Sequence, residues 1–253
     1  MLDIAIYTHS DYFDILPIQL AYFKKVVTDA RVTLFTNKIY EGCEYTQILY
    51  DDGLPYAGRL LSCISQMTST HLLLTHENDI VCTFDSNMLE SLVAKMDECA
   101  IDTIDLKHEP FGSHPIYVTD EISLVKKFNY FYCVQPSLWR RSTLQTILTK
   151  YSDRGYRQIE GDDVQKYMVE TWNVRGLRAT TSIQSIWYRV SPYYAFLHLT
   201  SRLLLLPCRE NNGLHPFLQI EHEHIFSQYL VHSTRGKQET LYSFDNRMVV
   251  SSA

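Results

Sequence analysis

Over residues 3–75 the apolar and polar positions exchange strand-like and helix-like spacing in a regular order. Asp3 to Tyr7 (DIAIY) reads as a first strand, followed by the polar loop Thr8-His9-Ser10-Asp11 and a helical pattern from about Ile15 to Val27. Arg31 to Thr36 (RVTLFT) alternates apolar with polar and predicts the next strand, closed by Asn37-Lys38. A third strand, Thr46 to Tyr50, ends in the turn signal Asp51-Asp52-Gly53. Pro55 then stands near the start of a helix predicted through Gly58-Arg59-Leu60-Leu61 to about Met67, and the strand His71 to Thr75 follows. The order β-α-β-β-α-β predicts an α/β protein with a mostly parallel, Rossmann-like central sheet and helices on both faces.

The pattern continues with a helix from about Ser86 to Met96, strands near Ala100 to Leu106 and Ile116 to Val118, and the aromatic run Tyr130-Phe131-Tyr132-Cys133-Val134-Gln135. Pro136-Ser137-Leu138-Trp139-Arg140-Arg141 leads to a helix through Leu148 and a loop with Gly155. Ile159-Glu160-Gly161-Asp162-Asp163 opens another helix to about Glu170, with Asp162 or Asp163 placed as its N-cap. A strand is predicted from Leu177 through Ala179 to Ile186, Pro192 to Leu206 is mixed, and the end of the chain reads as a polar tail. No repeat, low-complexity tract or linker divides the chain, so one domain is expected over residues 1–253.

The chemistry concentrates where the run His71-Leu72-Leu73-Leu74-Thr75 meets His76-Glu77-Asn78-Asp79. If the strand continues, alternation puts Glu77 and Asp79 on the same side, where two carboxylates repel unless a cation lies between them. A hard divalent ion such as Mn²⁺ or Mg²⁺ uses oxygen ligands of this kind and keeps positions open for phosphates. The plain alternative is a solvated loop end after a core strand. In parallel sheets ligands bind outside the carboxyl ends of the strands. The loops expected there, Thr8 to Asp11, Asp51 to Gly53 and His76 to Asp79, are all polar and all carry carboxylates. With nine glycines and neither of the usual glycine-rich phosphate loops, a nucleotide bound there would need a metal for its phosphates.

Composition narrows the classes further. The chain is 45% hydrophobic and 21% charged, an ordinary globular balance. Its net charge of -6, with no basic cluster, argues against a nucleic-acid partner. Cys43, Cys63, Cys82, Cys99, Cys133 and Cys208 are scattered without a C-x-x-C pair, which fits reduced thiols and a cytoplasmic setting. The N-terminus runs straight into a strand pattern without a signal-peptide signature, and Leu203 to Leu206 is too short to span a bilayer, so no transmembrane segment is expected. The 18 tyrosines suit sugar or base stacking, although most are expected at the edge of the core.

Three segments in this order resemble a nucleotide-sugar glycosyltransferase of the GT-A fold. The N-terminal half has that fold's strand order, and Glu77-Asn78-Asp79 occupies the place of its DxD motif. Gln135-Pro136-Ser137-Leu138-Trp139-Arg140-Arg141 is similar to a QPxxW segment of a family of bacterial and large-DNA-virus glycosyltransferases, and Glu160-Gly161-Asp162-Asp163 stands where such enzymes carry the acid facing the acceptor. The chain departs from the family in two places. Glu77 replaces the usual first Asp, and Tyr156-Arg157-Gln158-Ile159 replaces a Trp-rich run.

The resemblance implies a nucleotide-sugar-binding half over residues 1–85, an acceptor-binding half over 86–235 and a tail over 236–253. It implies transfer of a sugar from a nucleotide-diphosphate donor to a hydroxyl of a glycan or glycoconjugate, with inversion favoured. Asp79, with Glu77 and a late His224, would hold Mn²⁺ or Mg²⁺ against the diphosphate. Asp162 is the first choice as general base and Glu160 the second. Thr8, His9, Asp51, Asp52 and Asn78 would contact the nucleotide, and Arg59 would approach a phosphate. The bland readings are turn roles for the loop residues, capping for Asp162, an exposed ion pair for Arg59, an ordinary strand for His222 and His224, and core packing for Trp139. Two rival functions use the same residues: a metal-dependent phosphoesterase or nucleotidyltransferase, and a non-catalytic sugar-nucleotide or glycan-binding module.

Overall fold

The computed structural model describes residues 2–13, 16–27, 30–77, 79–83, 86–106, 117–118, 123–126, 132, 134, 136–170, 175–180, 185–187, 196–198, 204–207, 209–210, 213–214, 231–233, 240–243 and 247–250. The elements up to the middle of the chain are β1 (Asp3–Tyr7), α1 (Leu16–Val26), β2 (Arg31–Thr36), β3 (Thr46–Leu49), α2 (Tyr56–Ile64), β4 (His71–His76) and β5 (Asp79–Thr83). Then come α3 (Ser86–Glu98), β6 (Thr103–Asp105), β7 (Tyr117–Val118), β8 (Ser123–Lys126), β9 (Ser137–Arg140), α4 (Arg141–Lys150), α5 (Tyr156–Ile159), α6 (Asp162–Glu170) and β10 (Gly176–Thr180). Short strands follow: β11 (Ser185–Trp187), β12 (Phe196–His198), β13 (Leu204–Pro207), β14 (Arg209–Glu210), β15 (Gly213–Leu214), β16 (Val231–Ser233), β17 (Thr240–Ser243) and β18 (Arg247–Val250).

The central sheet has the order β3-β2-β1-β4-β9-β6-β10-β8-β7. The β3-β2-β1-β4 block is parallel throughout, β9 runs antiparallel to both β4 and β6, and β10 is parallel to β6. Only β9 and β8 therefore oppose the other strands of this sheet, and the expected α/β class with a mostly parallel, GT-A-like sheet is the one observed. Alternation along each strand divides the core in two. Ile4, Ile6, Leu34, Leu73, Ile104 and Leu138 face α1 and α3 on one side. Ala5, Tyr7, Phe35, Leu72, Leu74 and Trp139 face α2, α4, α5 and α6 on the other. Strands β1, β2 and β4 are buried along both faces because both faces are covered.

The strand predicted at 31–36 has the observed bounds, and the first helix and the strand at 71 differ by one residue at their ends. Other expectations shift. The chain leaves β4 at His76, and Asp79 opens β5, which pairs with β13 outside the main sheet, with Pro207 opposite Asp79. Glu77 thus follows the end of β4 and Asp79 opens a different strand, so alternation along one strand does not set their relation. Helix α6 begins at Asp162, so Asp162 and Asp163 lie inside its first turn, where their charge suits the helix dipole, and neither is the residue outside it. The strand expected from Leu177 to Ile186 is two strands, β10 and β11, and the stretch read as a polar tail contains β17, paired to β16, and β18, paired to β17. The segment from Ser137 to Arg140, given no element by its pattern, is a strand at the centre of the sheet.

Candidate functional site

Strands β1, β2, β3 and β4 all end on one edge, and the residues just past them meet there. His9 follows β1, Asn37 follows β2 and Asp52 follows β3. His9 Nε2 is 3.1 Å from both carboxylate oxygens of Asp52 and 3.1 Å from Asn37 Nδ2. Asn37 ties the group down: its Nδ2 donates to Ser10 Oγ at 3.1 Å and its Oδ1 accepts from the Ser10 backbone N–H at 2.8 Å. On the other ring nitrogen, His9 Nδ1 accepts from the Asp11 N–H at 3.1 Å. The hydrogen bond from His9 is the main reason the Asp52 carboxyl is held below its ordinary range. Asp52 nonetheless faces solvent, so an acceptor oxygen is presented at the mouth of the sheet edge.

Arg59, one turn into α2, pins the loop that carries Asp52. It donates from Nε to the Leu54 carbonyl and from Nη2 to the Asp52 carbonyl, both at 2.5 Å, and Nη1 lies 3.0 Å from Asp52 Oδ1. This is the ion-pair role, confined within its own loop. Asp51 accepts from the Gly53 N–H at 2.8 Å, the turn role. Thr8 is buried; its N–H donates to the Phe35 carbonyl at 2.9 Å and its carbonyl accepts from Tyr50 Oη at 2.6 Å.

Beneath this polar rim lies a block of tyrosines. Tyr7 stacks on Tyr50 with centroids 5.3 Å apart, and Tyr56 meets Tyr7 edge-on at 5.1 Å. The Tyr56 hydroxyl is 3.0 Å from His76 Nε2 and 2.7 Å from the Tyr132 hydroxyl. Burial raises the pKa of all three phenols Tyr7, Tyr50 and Tyr56, so each stays protonated at neutral pH. Burial pulls the His76 imidazole down to about 4, against the opposite pull of the Val134 backbone. Tyr7, Tyr50, Tyr56 and His76 therefore carry no charge at neutral pH and form a hydrogen-bonding floor.

The second half of the chain closes on this floor. Gln165 of α6 clamps Tyr132, accepting from its N–H at 3.1 Å and donating to its carbonyl at 3.0 Å. Glu160, at the end of α5, accepts the Val134 N–H at 2.8 Å, and its charge acts on Tyr56. Asp162 is exposed in the first turn of α6. Of the two acids, Glu160 is the one anchored beside the tyrosine floor.

At the end of β4, Glu77 is buried, its N–H donating to the Tyr7 carbonyl at 3.2 Å. Gln19 of α1 holds the preceding carbonyl of His76 at 2.7 Å. Asn78, His222, His224 and the side chain of Asp79 lie outside the described residues. Among the described residues no group of three or more His, Cys, Asp or Glu side chains is placed to hold a metal ion. Cys43, Cys63 and Cys99 are free thiols, and among the described residues no helix is long and apolar enough to cross a membrane. Trp139 is fully buried, with Nε1 donating to Ser137 Oγ at 2.9 Å, as its core reading requires.

Sequence reasoning missed Asn37, Tyr56, Tyr132 and Gln165. The available signal was positional: Asn37 closes a strand on the same edge as His9 and Asp52, and Tyr56 opens the helix that follows Asp52.

No protein-family profile and no curated protein matches the chain. Solved structures do match at low identity. Staphylococcus aureus TarS 1-349 in complex with UDP-GlcNAc is 12% identical, with a TM-score of 0.40, over 77% of this chain and 62% of that one. A nucleotidyl transferase from Methanothermobacter is 10% identical, with a TM-score of 0.45, over 72% and 88%. A cytidylyltransferase from Leptospira borgpetersenii is 10% identical, with a TM-score of 0.47, over 78% and 80%. The chain spans about six-tenths of the TarS fragment's length. At these scores the fold assignment rests on the strand order and directions, which are this chain's own.

Proposed function

We propose that this protein transfers a sugar from a nucleoside-diphosphate sugar to a hydroxyl group of a glycan or glycoconjugate. The observation that carries the reading is the convergence of His9, Asn37 and Asp52 at the ends of three neighbouring parallel strands, with Glu160 anchored across the tyrosine floor. Ligands of open α/β sheets bind at that edge. Exposed Asp52 offers acceptor oxygens of the kind needed to read a base or ribose edge, and Asn37 and Arg59 keep it in place.

The chemistry assigned to the chain's own residues is proton transfer and orientation. The carboxylate oxygen of Glu160 not engaged by Val134 takes the proton of the acceptor hydroxyl; the hydroxyl oxygen bonds to the anomeric carbon as the bond from that carbon to the diphosphate oxygen breaks. Attack opposite the leaving diphosphate inverts the anomeric centre. Glu160 replaces Asp162 as first choice because Asp162 stands exposed on the first turn of α6. Glu77 and Asp79, oxygen donors just past the end of β4 and at the start of β5, are the residues assigned to hold Mn²⁺ or Mg²⁺, which when bound would offset the charge growing on the diphosphate.

Calorimetry with UDP, GDP and UDP-GlcNAc in the presence and absence of Mn²⁺ tests the reading. A nucleoside diphosphate should bind, Asp52→Asn should weaken it about tenfold, the worth of one charge-assisted hydrogen bond, and Asp79→Ala should remove the Mn²⁺ dependence. Absence of binding at millimolar nucleotide would overturn the proposal.

A further inference from the structure

Tyr156 is 42% exposed and Leu54 38%. They come from α5 and from the loop before α2; beside them, the first turn of α2 is tied to the loop before α5 where the Ala57 N–H donates to the Arg154 carbonyl at 3.1 Å. Tyr156 meets the floor directly, its ring edge-on to Tyr56 at 6.3 Å. It shares a helical turn with Glu160, whose N–H donates to the Tyr156 carbonyl at 3.1 Å. An aromatic ring thus lies open to solvent one turn from the acid that holds the Val134 N–H.

Arg157 fixes the ring without covering it. Its Nε donates to Tyr156 Oη at 2.9 Å, and its guanidinium carbon is 5.7 Å from the ring centroid. The guanidinium thus sits on the hydroxyl side of the ring, and Tyr156 keeps 42% of its surface open. Along the chain the segment 153–163 carries four carboxylates, on Asp153, Glu160, Asp162 and Asp163, against the two guanidinium groups of Arg154 and Arg157. That balance repels phosphate and carboxylate groups, while carboxylate oxygens readily accept hydrogen bonds from sugar hydroxyls.

From this geometry we infer that Tyr156 is a stacking platform for a neutral pyranose of the acceptor, with Leu54 against the sugar's apolar face and Arg157 and the acids serving its hydroxyls. A pyranose has an apolar C–H face ringed by hydroxyls, which matches an open ring bordered by hydrogen-bonding groups. The inference rests on the reading of Glu160 as the acid facing the acceptor, and it specifies the acceptor as a neutral glycan.

Saturation-transfer NMR on the full chain tests it, with methyl glucoside, methyl galactoside and methyl N-acetylglucosaminide as probes, methyl glucuronide as the anionic control, and UDP binding measured in parallel. At least one neutral pyranoside should bind more tightly than the glucuronide. Tyr156→Ala should weaken it about fivefold, the worth of one ring contact, while Tyr156→Trp restores it and UDP affinity stays the same. Binding of neutral pyranosides that is unchanged in Tyr156→Ala, or a glucuronide that binds as well, would overturn the platform. UDP binding without any pyranoside binding would overturn the platform alone. Pyranoside binding lost in Tyr156→Ala, in a protein that binds no nucleotide, would uphold the platform and overturn the transfer reading.

Discussion

The hydroxyl of Tyr56 stands 3.0 Å from Nε2 of His76, so the first turn of α2 grips the last residue of β4. The same hydroxyl is 2.7 Å from that of Tyr132, which arrives from the other half of the chain. One side chain therefore joins the strand end next to Glu77, the helix behind the Asp52 loop, and the segment clamped by Gln165.

Tyr56→Phe removes the middle of that connection and leaves His76 Nε2 without its phenol partner. Losing one side of a buried polar contact costs about 1–3 kcal/mol. Urea unfolding should show a loss of that size, whereas Tyr156→Phe, at an exposed ring, should stay within about 0.5 kcal/mol of the parent. Equal effects from the two variants would show that the Tyr56 hydroxyl does not secure the strand end.

Gly58 sits inside α2, where alanine is ordinarily better by about 1 kcal/mol. A Cβ at this position would lie 2.9 Å from the Ser152 carbonyl oxygen, a backbone atom that no rotamer change can move. Overpacking of this kind costs about 1–3 kcal/mol, enough to outweigh the propensity gain. Gly58→Ala should therefore lower the Tm by a few degrees, about 2–4 °C per kcal/mol in a chain of this size. A raised Tm would mean that α2 and the 151–155 loop can separate freely.

His71 anchors the opposite edge of the sheet. It is 5% exposed, with Nε2 3.2 Å from Asp97 Oδ1, the oxygen that Arg140 also contacts at 2.9 Å. Burial lowers its pKa, Asp97 opposes that shift and Arg140 adds to it. Below a pH of about 6.5 the unfolded chain takes up this proton before the folded chain does. The His71 contribution to stability is thus complete above that pH and is lost as pH falls through the lower folded value. Unfolding free energies measured at pH 7.5 and 5.5 should drop more in the parent than in His71→Gln; matching drops would remove His71 as a cause.

Much of the fold is legible in the sequence because alternation and apolar runs are local properties. Strand β2 has its predicted bounds, and the loops of His9 and Asp52 fall on one edge once the strands are taken as parallel. Ser137 to Arg140 was not legible: four residues are too few to show a period, and their place depends on partners at residues 71–74 and 103–105. The role of Tyr56 was hidden for a related reason, since nothing near it in sequence identifies Tyr132 as its partner. Asp162, the first choice from the sequence, and Glu160, the second, differ in the structure in exposure and in the Val134 contact. The Arg59 ion pair was the plainer of two readings, and the contacts to the loop carbonyls of Asp52 and Leu54 could not be read from the sequence.

The antiparallel strand β9 occupies the seat beside β4, although it enters more than sixty residues later in the chain. As the polypeptide leaves the ribosome, the block β3-β2-β1-β4 emerges with the backbone groups along Leu72 to Leu74 bare on that side. A bare apolar edge is a template for pairing with other chains. Until residue 140 has emerged, the protein must be shielded from its neighbours, and a fragment ending at residue 85 would carry the exposed edge permanently.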